Sequence, residues 1–203
     1  MSQKEETIMV RTRISCLGCL AFLAFALGGC GGPQKDMGDM QSMEPPPRPK
    51  QLDRLEAFVG RWEGTMEMKM AGSPESMKAT GVNKVGWACD GRYLMENMEG
   101  QMGDDKFVGI GMWGWDAKNN RYHIWWFESS GDASEGWATY NEADKSWHHE
   151  GSGHSAMVGK LTYFTGSTRF PDANTMEWSW KIWDNSWKWG EPIMEMSGTQ
   201  RRK

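Results

Sequence analysis

Between Met66 and Met70 the chain alternates methionine with Glu67 and Lys69, and further on Met176, Trp178, Trp180 and Ile182 alternate with Glu177, Ser179 and Lys181. A period of two marks a strand with one buried face. From Arg61 onward no long segment carries a helical period. Short runs are instead separated by turn chemistry at Ala71–Glu75, Cys89–Gly91, Met102–Asp105, Asp116–Asn120, Ser129–Asp132, Asn141–Lys145, Gly151–Ser155, Pro171–Asn174 and Asp184–Ser186, where Gly, Pro, Asn, Asp and Ser cluster. These turns delimit about ten strands with no crossover helix between them. The expected fold is all-β, an antiparallel up-and-down barrel, because closing a meander removes its exposed edges; a two-sheet sandwich is the alternative. Gly109, Gly111 and Gly114 are expected to supply the bends a small barrel needs. Ahead of the strands, Leu52, Leu55 and Phe58 recur at a helical spacing and Gly60 follows, which predicts a short amphipathic helix leading into the domain.

The amino-terminal quarter has a different pattern. Lys4, Arg11 and Arg13 precede an apolar run from Ile14 to Leu27, closed by Gly28-Gly29-Cys30. This is the layout of a secretory signal peptide, and the run is short for a bilayer span. Leu27-Gly28-Gly29-Cys30 resembles the lipobox of bacterial lipoproteins. The resemblance implies cleavage before Cys30, acylation of that cysteine, and an anchor of two or more chains, which holds where one chain would not. Gly31 rather than Asp follows, so the usual bacterial sorting rule implies the periplasmic face of the outer membrane. An ordinary signal peptide ending beside a coincidental cysteine is the alternative. From Gly31 to Lys50 there is no aromatic or β-branched residue, and Pro45-Pro46-Pro47-Arg48-Pro49 ends the stretch, as in an extended tether. The expected organisation is a signal peptide over 1–29, a lipidated Cys30 and linker over 30–50, and a barrel domain over 51–203. Met37, Met40 and Met43 in the linker resemble extracellular copper(I)-binding segments, since soft thioethers suit that ion. With 17 methionines in the chain, methionine standing in for leucine is the simpler account, and no cofactor is expected.

Composition narrows the chemistry. Of four cysteines, Cys16 and Cys19 would leave with the signal peptide and Cys30 would carry lipid. Cys89 then has no partner for a disulfide, so the fold rests on its core, where Cys89 is expected as a buried small hydrophobe. A net charge of −4 without a basic stripe argues against nucleic acid. The 13 tryptophans all lie beyond the linker, and each ring is large enough to decide packing or binding where it lands. Trp125 and Trp126 must face opposite ways on a strand, whereas Trp113 and Trp115 share a face, as do Trp187 and Trp189. Too many rings result for one small barrel, so some are expected to line a pocket or the outer surface. Trp113, Trp115, Trp125, Trp126, Trp178 and Trp180 are the candidates for holding a small apolar or sugar-like ligand. His123, His148, His149 and His154 lack the number and spacing of zinc ligands; His148 and His149 alternate, and exposed histidines are the expectation. No Ser-His-Asp order, phosphate loop or paired-carboxylate spacing stands out; Glu128 and Asp116 could lie near one another at a barrel mouth, although carboxylates at turns usually cap them. The chain therefore reads as a non-catalytic binding module; a structural or interaction lipoprotein without a small ligand is the alternative.

Gly60-Arg61-Trp62 after a short helix looks like the opening of lipocalin-type (calycin) barrels. That resemblance implies that Trp62 plugs the closed end and that a late basic residue, Arg201 or Arg202, stacks across it. With Gly91-Arg92-Tyr93-Leu94, then Gly111-Met112-Trp113-Gly114-Trp115-Asp116, then Tyr122, Trp126 and Glu128, the order and spacing resemble an uncharacterised bacterial family with a calycin-like barrel, domain-of-unknown-function family 1579. The resemblance covers most of residues 52–200. It departs at Trp115, where the family usually has tyrosine before the aspartate. Related barrels include haem-binding nitrobindins, which implies a further alternative in which a barrel histidine ligates iron.

Overall fold

Leu52, Leu55 and Phe58 stand three residues apart, a spacing that aligns side chains on a 3₁₀ helix, which has three residues per turn. In the computed structural model, which describes residues 45–188 and 190–203, Lys50–Phe58 forms such a helix and buries those three residues. Ten strands follow: β1 (Gly60–Met70), β2 (Ser76–Ala88), β3 (Tyr93–Met102), β4 (Asp105–Asp116), β5 (Arg121–Glu128), β6 (Ala133–Asn141), β7 (Ser146–Ser155), β8 (Lys160–Asp172), β9 (Thr175–Trp183) and β10 (Met194–Arg202). Each pairs antiparallel with its neighbours in sequence, and β1 pairs with β10, so the meander closes into an up-and-down barrel. The compact unit runs from Pro46 to Lys203. Cys30, the lipobox and the linker methionines Met37, Met40 and Met43 lie outside the described residues.

The register propagates one set of inward positions around the barrel. Trp62, Gly64, Met66, Met68 and Met70 on β1 pair with Arg202, Gln200, Gly198, Met196 and Met194 on β10. The same rows continue through Met176, Trp178, Trp180 and Ile182 on β9 and Thr168, Gly166 and Phe164 on β8. The period-two patterns of β1 and β9 thus point into the lumen. At one end the 3₁₀ helix lies across the barrel. Phe58 meets Trp113, Trp147 and Phe170 at ring separations of 5.0, 5.5 and 4.9 Å, and Tyr122 donates its hydroxyl to Gln51 O at 2.6 Å. Trp62 is fully buried there, donates from Nε1 to Phe58 O at 2.7 Å, and carries the Arg202 guanidinium 4.2 Å above its ring. Arg202 also donates to the carbonyls of Ala57, Val59 and Ala173. Arg201 points outward to Thr175 and Asp172, so Arg202 is the residue that closes the end.

Three local expectations are corrected. Gly151–Ser155 is not a turn but the end of β7, and the chain reverses at 156–159. Gly151 and Gly153 are glycines because a Cβ would sit 2.3 Å from Glu135 O at the first and 2.5 Å from Ala133 O at the second. Cys89 is exposed, with φ 50° at the β2–β3 turn, so it contributes nothing to the core. Asp116 and Glu128 lie at opposite ends of the β4–β5 hairpin, where they pair with Arg121 and Gly109. They cannot act on one substrate atom.

Candidate ligand-binding cavity

Beyond the packed end the lumen is hollow. A cavity of about 350 Å³ runs from Phe58, Asn83 and Gln200 near the plug to Met102, Phe107, Asp132 and Met157 at the opposite, open end. Ten strands make a barrel wider than the eight whose interior side chains alone fill. The placement of the aromatic residues keeps the space open. Trp126 stands opposite Gly111 across the β4–β5 ladder, Trp180 opposite Gly166, Trp178 opposite Gly198, Phe164 opposite Gly151 and Phe107 opposite Gly100. Each ring lies where its partner's side chain would otherwise be: a Cβ on Gly166 would meet the Trp180 ring at 2.6 Å, and one on Gly198 the Trp178 ring at 2.5 Å. Rings laid along the wall in this way leave the axis free, as aromatic residues covering cross-strand glycines do in built barrels.

Of the six tryptophans singled out from the sequence, Trp113, Trp126, Trp178 and Trp180 line this cavity. Trp115 packs edge-on to Tyr122 at 4.9 Å in the closed end. Trp125 belongs to the wall, but its ring lies on the outer face against His123 at 3.8 Å and Tyr93 at 6.3 Å. Methionines complete the lining: Met66, Met68, Met98, Met176 and Met196 among them. Thioether side chains adapt to irregular apolar shapes.

The polar groups of the lumen are few, and alternation alone could not single them out. Asn83 on β2 is 4% exposed, and its Nδ2 donates to Glu96 Oε2 at 2.8 Å. Trp113 Nε1 donates to the other oxygen of Glu96. Burial pushes the Glu96 carboxyl above its ordinary range, against the lowering effect of those two hydrogen bonds. The partial exposure Glu96 keeps is toward the cavity it lines. Asn83 Oδ1 and, on β10, Gln200 Oε1 are buried without a hydrogen-bond partner. Across the lumen His149 is 2% exposed, stacks on Trp180 with centroids 4.9 Å apart and shares a 3.1 Å hydrogen bond between Nε2 and Thr168 Oγ1. Burial and, secondarily, the neighbouring His148 lower its pKa to about 3. This overturns the expectation of exposed histidines, because alternation buries one of the His148-His149 pair.

Two histidines border the lumen, His149 with an unpartnered buried Nδ1 and His154 at the cavity wall. His149 has Trp180 on its face, Trp113 at its edge and Thr168 on Nε2. His123 is sandwiched between Trp125 and Trp137 on the outer face, and His154 is exposed. Among the described residues no group of three or more His, Cys, Asp or Glu converges as a metal site would.

A closed ten-stranded barrel with a plugged end and a hollow, ring-lined lumen is a calycin-like barrel. The chain belongs to the family described as "Protein of unknown function (DUF1579)", whose model matches residues 48–201. No curated protein matches it in sequence. Among solved structures, the crystal structure of Rv2717c from M. tuberculosis is similar at 13% identity, over 77% of this chain and 99% of that one, with a TM-score of 0.58. A de novo designed fluorescence-activating beta barrel matches at 16% identity over 74% of this chain and 98% of that one, with a TM-score of 0.40. At such identities the likeness to Rv2717c bears on the fold alone, and the looser match to the designed barrel carries no weight beyond it.

Proposed function

We propose that this protein is a non-catalytic binding module that holds a small, predominantly apolar molecule inside the barrel, tethered to the cell envelope through lipid on Cys30. The observation that carries the reading is the cavity of about 350 Å³ walled by Trp113, Trp126, Trp178, Trp180 and a set of methionines, a size and lining typical of small-molecule pockets. An apolar ligand suits it better than a sugar, whose many hydroxyls would find few partners. The lipobox and the proline-rich stretch support a tethered protein acting beside its membrane. Native mass spectrometry of protein extracted from its own membrane tests both halves. The expected spectrum shows a diacyl or triacyl mass on the fragment beginning at Cys30 and a co-purifying small molecule; an unmodified Cys30 would end the anchoring half. Saturable quenching of tryptophan fluorescence by apolar probes is the second measurement. Its absence would end the binding half.

A second reading, an interaction lipoprotein, draws on a different surface. Val108, Ile110 and Phe127 are exposed at 51, 44 and 51%, and Ile110 pairs directly with Phe127 on the outer face of β4 and β5. Contiguous exposed apolar side chains of this kind favour protein contact. Crosslinking in cells from a residue placed at Phe127 would capture a reproducible partner under this reading and none under the first.

A further inference from the structure

Apart from His154, the ionisable groups around the cavity are all carboxyls. Glu96 lines it at depth, and Glu128 and Asp132 lie toward its mouth, while no lysine or arginine contributes to its wall. No cation among the described residues pairs with Glu96, whose only hydrogen bonds come from neutral donors, Asn83 and Trp113. A buried carboxyl without a countercharge is driven toward its protonated form, and a bound cation is what would hold it ionised. Two acceptors on the same cavity wall lack partners: Asn83 Oδ1, on the side chain bonded to Glu96, and Gln200 Oε1 on β10; both are buried. Because Asn83 is anchored through Nδ2 to Glu96, its oxygen is the end left over. Ionised Glu96 and the neighbouring Asn83 Oδ1 accept hydrogen bonds and donate none, so a group with N–H donors and a positive charge would satisfy both at once. The rest of the wall is consistent with this, since indole faces attract cations and thioethers tolerate an irregular apolar body.

Resting on the binding role proposed above, we infer that the ligand is an amphipathic organic cation: a primary or secondary ammonium lodged at Glu96 and the free oxygen of Asn83, with its apolar body among Trp113, Trp126, Trp178, Trp180 and the methionines. An organic anion, such as a fatty acid, would bring a second negative charge against Glu96 and pass Glu128 and Asp132 to reach it. A neutral apolar molecule would leave the acceptors unsatisfied.

Three probes with one ring system and different charges separate these cases: 9-(aminomethyl)anthracene, 9-anthracenemethanol and 9-anthracenecarboxylate, titrated at neutral pH into the full chain with tryptophan quenching as the readout. The ammonium is expected to bind about tenfold or more tighter than the alcohol, with the carboxylate weakest. In Glu96→Gln, which keeps the shape and removes the charge but can accept from only one of Trp113 and Asn83, the ammonium's advantage over the alcohol should vanish. Alcohol and ammonium binding equally to the wild-type chain, or Glu96→Gln keeping the preference, would overturn the cation inference and leave the binding role standing. No saturable binding of any probe would overturn both. The ranking on the wild-type chain needs no variant, so a misfolded Glu96→Gln does not blunt the test; Asn83→Leu, which removes the free Oδ1 and is expected to narrow the ammonium's advantage over the alcohol, serves as the second substitution.

Discussion

At the closed end of the barrel, Phe58, Trp62, Trp113, Trp147 and Phe170 meet tilted or edge to face with centroids 4.9 to 5.9 Å apart. Further along the same barrel, Trp126, Trp178 and Trp180 lie against glycines of the neighbouring strands and leave the axis open. The residue types are alike; the neighbours differ. Where the 3₁₀ helix contributes Leu52, Leu55 and Phe58, rings have partners on every side and form a core. Where the opposite residue is glycine, the ring falls back onto the wall and one of its faces becomes cavity lining. Tryptophan therefore stabilises one half and shapes the other, and the register of the ladder decides which.

Substitutions should separate the halves in order of effect. Trp62→Ala removes a fully buried ring from the plug and should cost about 3–5 kcal/mol in urea unfolding; a smaller loss than Met98→Ala below would refute the contrast. His149, at the border of the two halves, should make stability sensitive to acid. Its folded pKa of about 3 lies below its ordinary 6.5, so the unfolded chain binds the proton more readily. The stabilisation is complete above pH 6.5 and falls by about 1.4 kcal/mol per pH unit toward pH 3. Compared at pH 7 and pH 4, His149→Gln should lack about 3 kcal/mol of the wild-type decline. Gly198→Ala places a methyl 2.5 Å from the Trp178 ring. It should push that ring into the lumen, at about 1–3 kcal/mol, and weaken probe binding with it; unchanged binding would show that the glycine does not set the cavity. Met98→Ala enlarges a space already present, so its loss should stay below about 1 kcal/mol, against the 2–5 kcal/mol usual for methionine truncated in a packed core.

Much of this barrel was legible in the chain. The alternation around Met66–Met70 and Met176–Ile182 points into the lumen as read, and eight of the nine turns fall at or beside strand ends. The miss at Gly151–Ser155 has a steric cause: glycine in a strand can mark close backbone approach as well as reversal, and only the partner strand tells them apart. Cys89 was read rightly into a turn and wrongly into the core, because the position of a turn along the chain does not say whether its side chain meets water. The site was legible as a class of residue and not as a set. Alternation puts Trp113, Trp126, Trp178 and Trp180 on inward faces and, with Trp126 inward, sends Trp125 outward, but it could not say which of the two adjacent rings faces the lumen or place Trp115 in the plug. Glu96, Asn83 and Gln200 left no signal, since polar residues on strands usually face water.

What the sequence determined by itself was everything local or periodic: the signal-like apolar run and its cysteine, the tether composition, ten strands with their inward faces, the three-residue spacing of Leu52, Leu55 and Phe58, and the Gly60-Arg61-Trp62 opening. Only the tertiary structure decided which glycine stands opposite which ring, that Arg202 and not Arg201 covers Trp62, and that three acceptors from β2, β3 and β10 border one cavity. The reason is physical. Periodicity is a property of one strand, whereas a lumen exists between strands and is shaped by pairs that register brings together from distant parts of the chain.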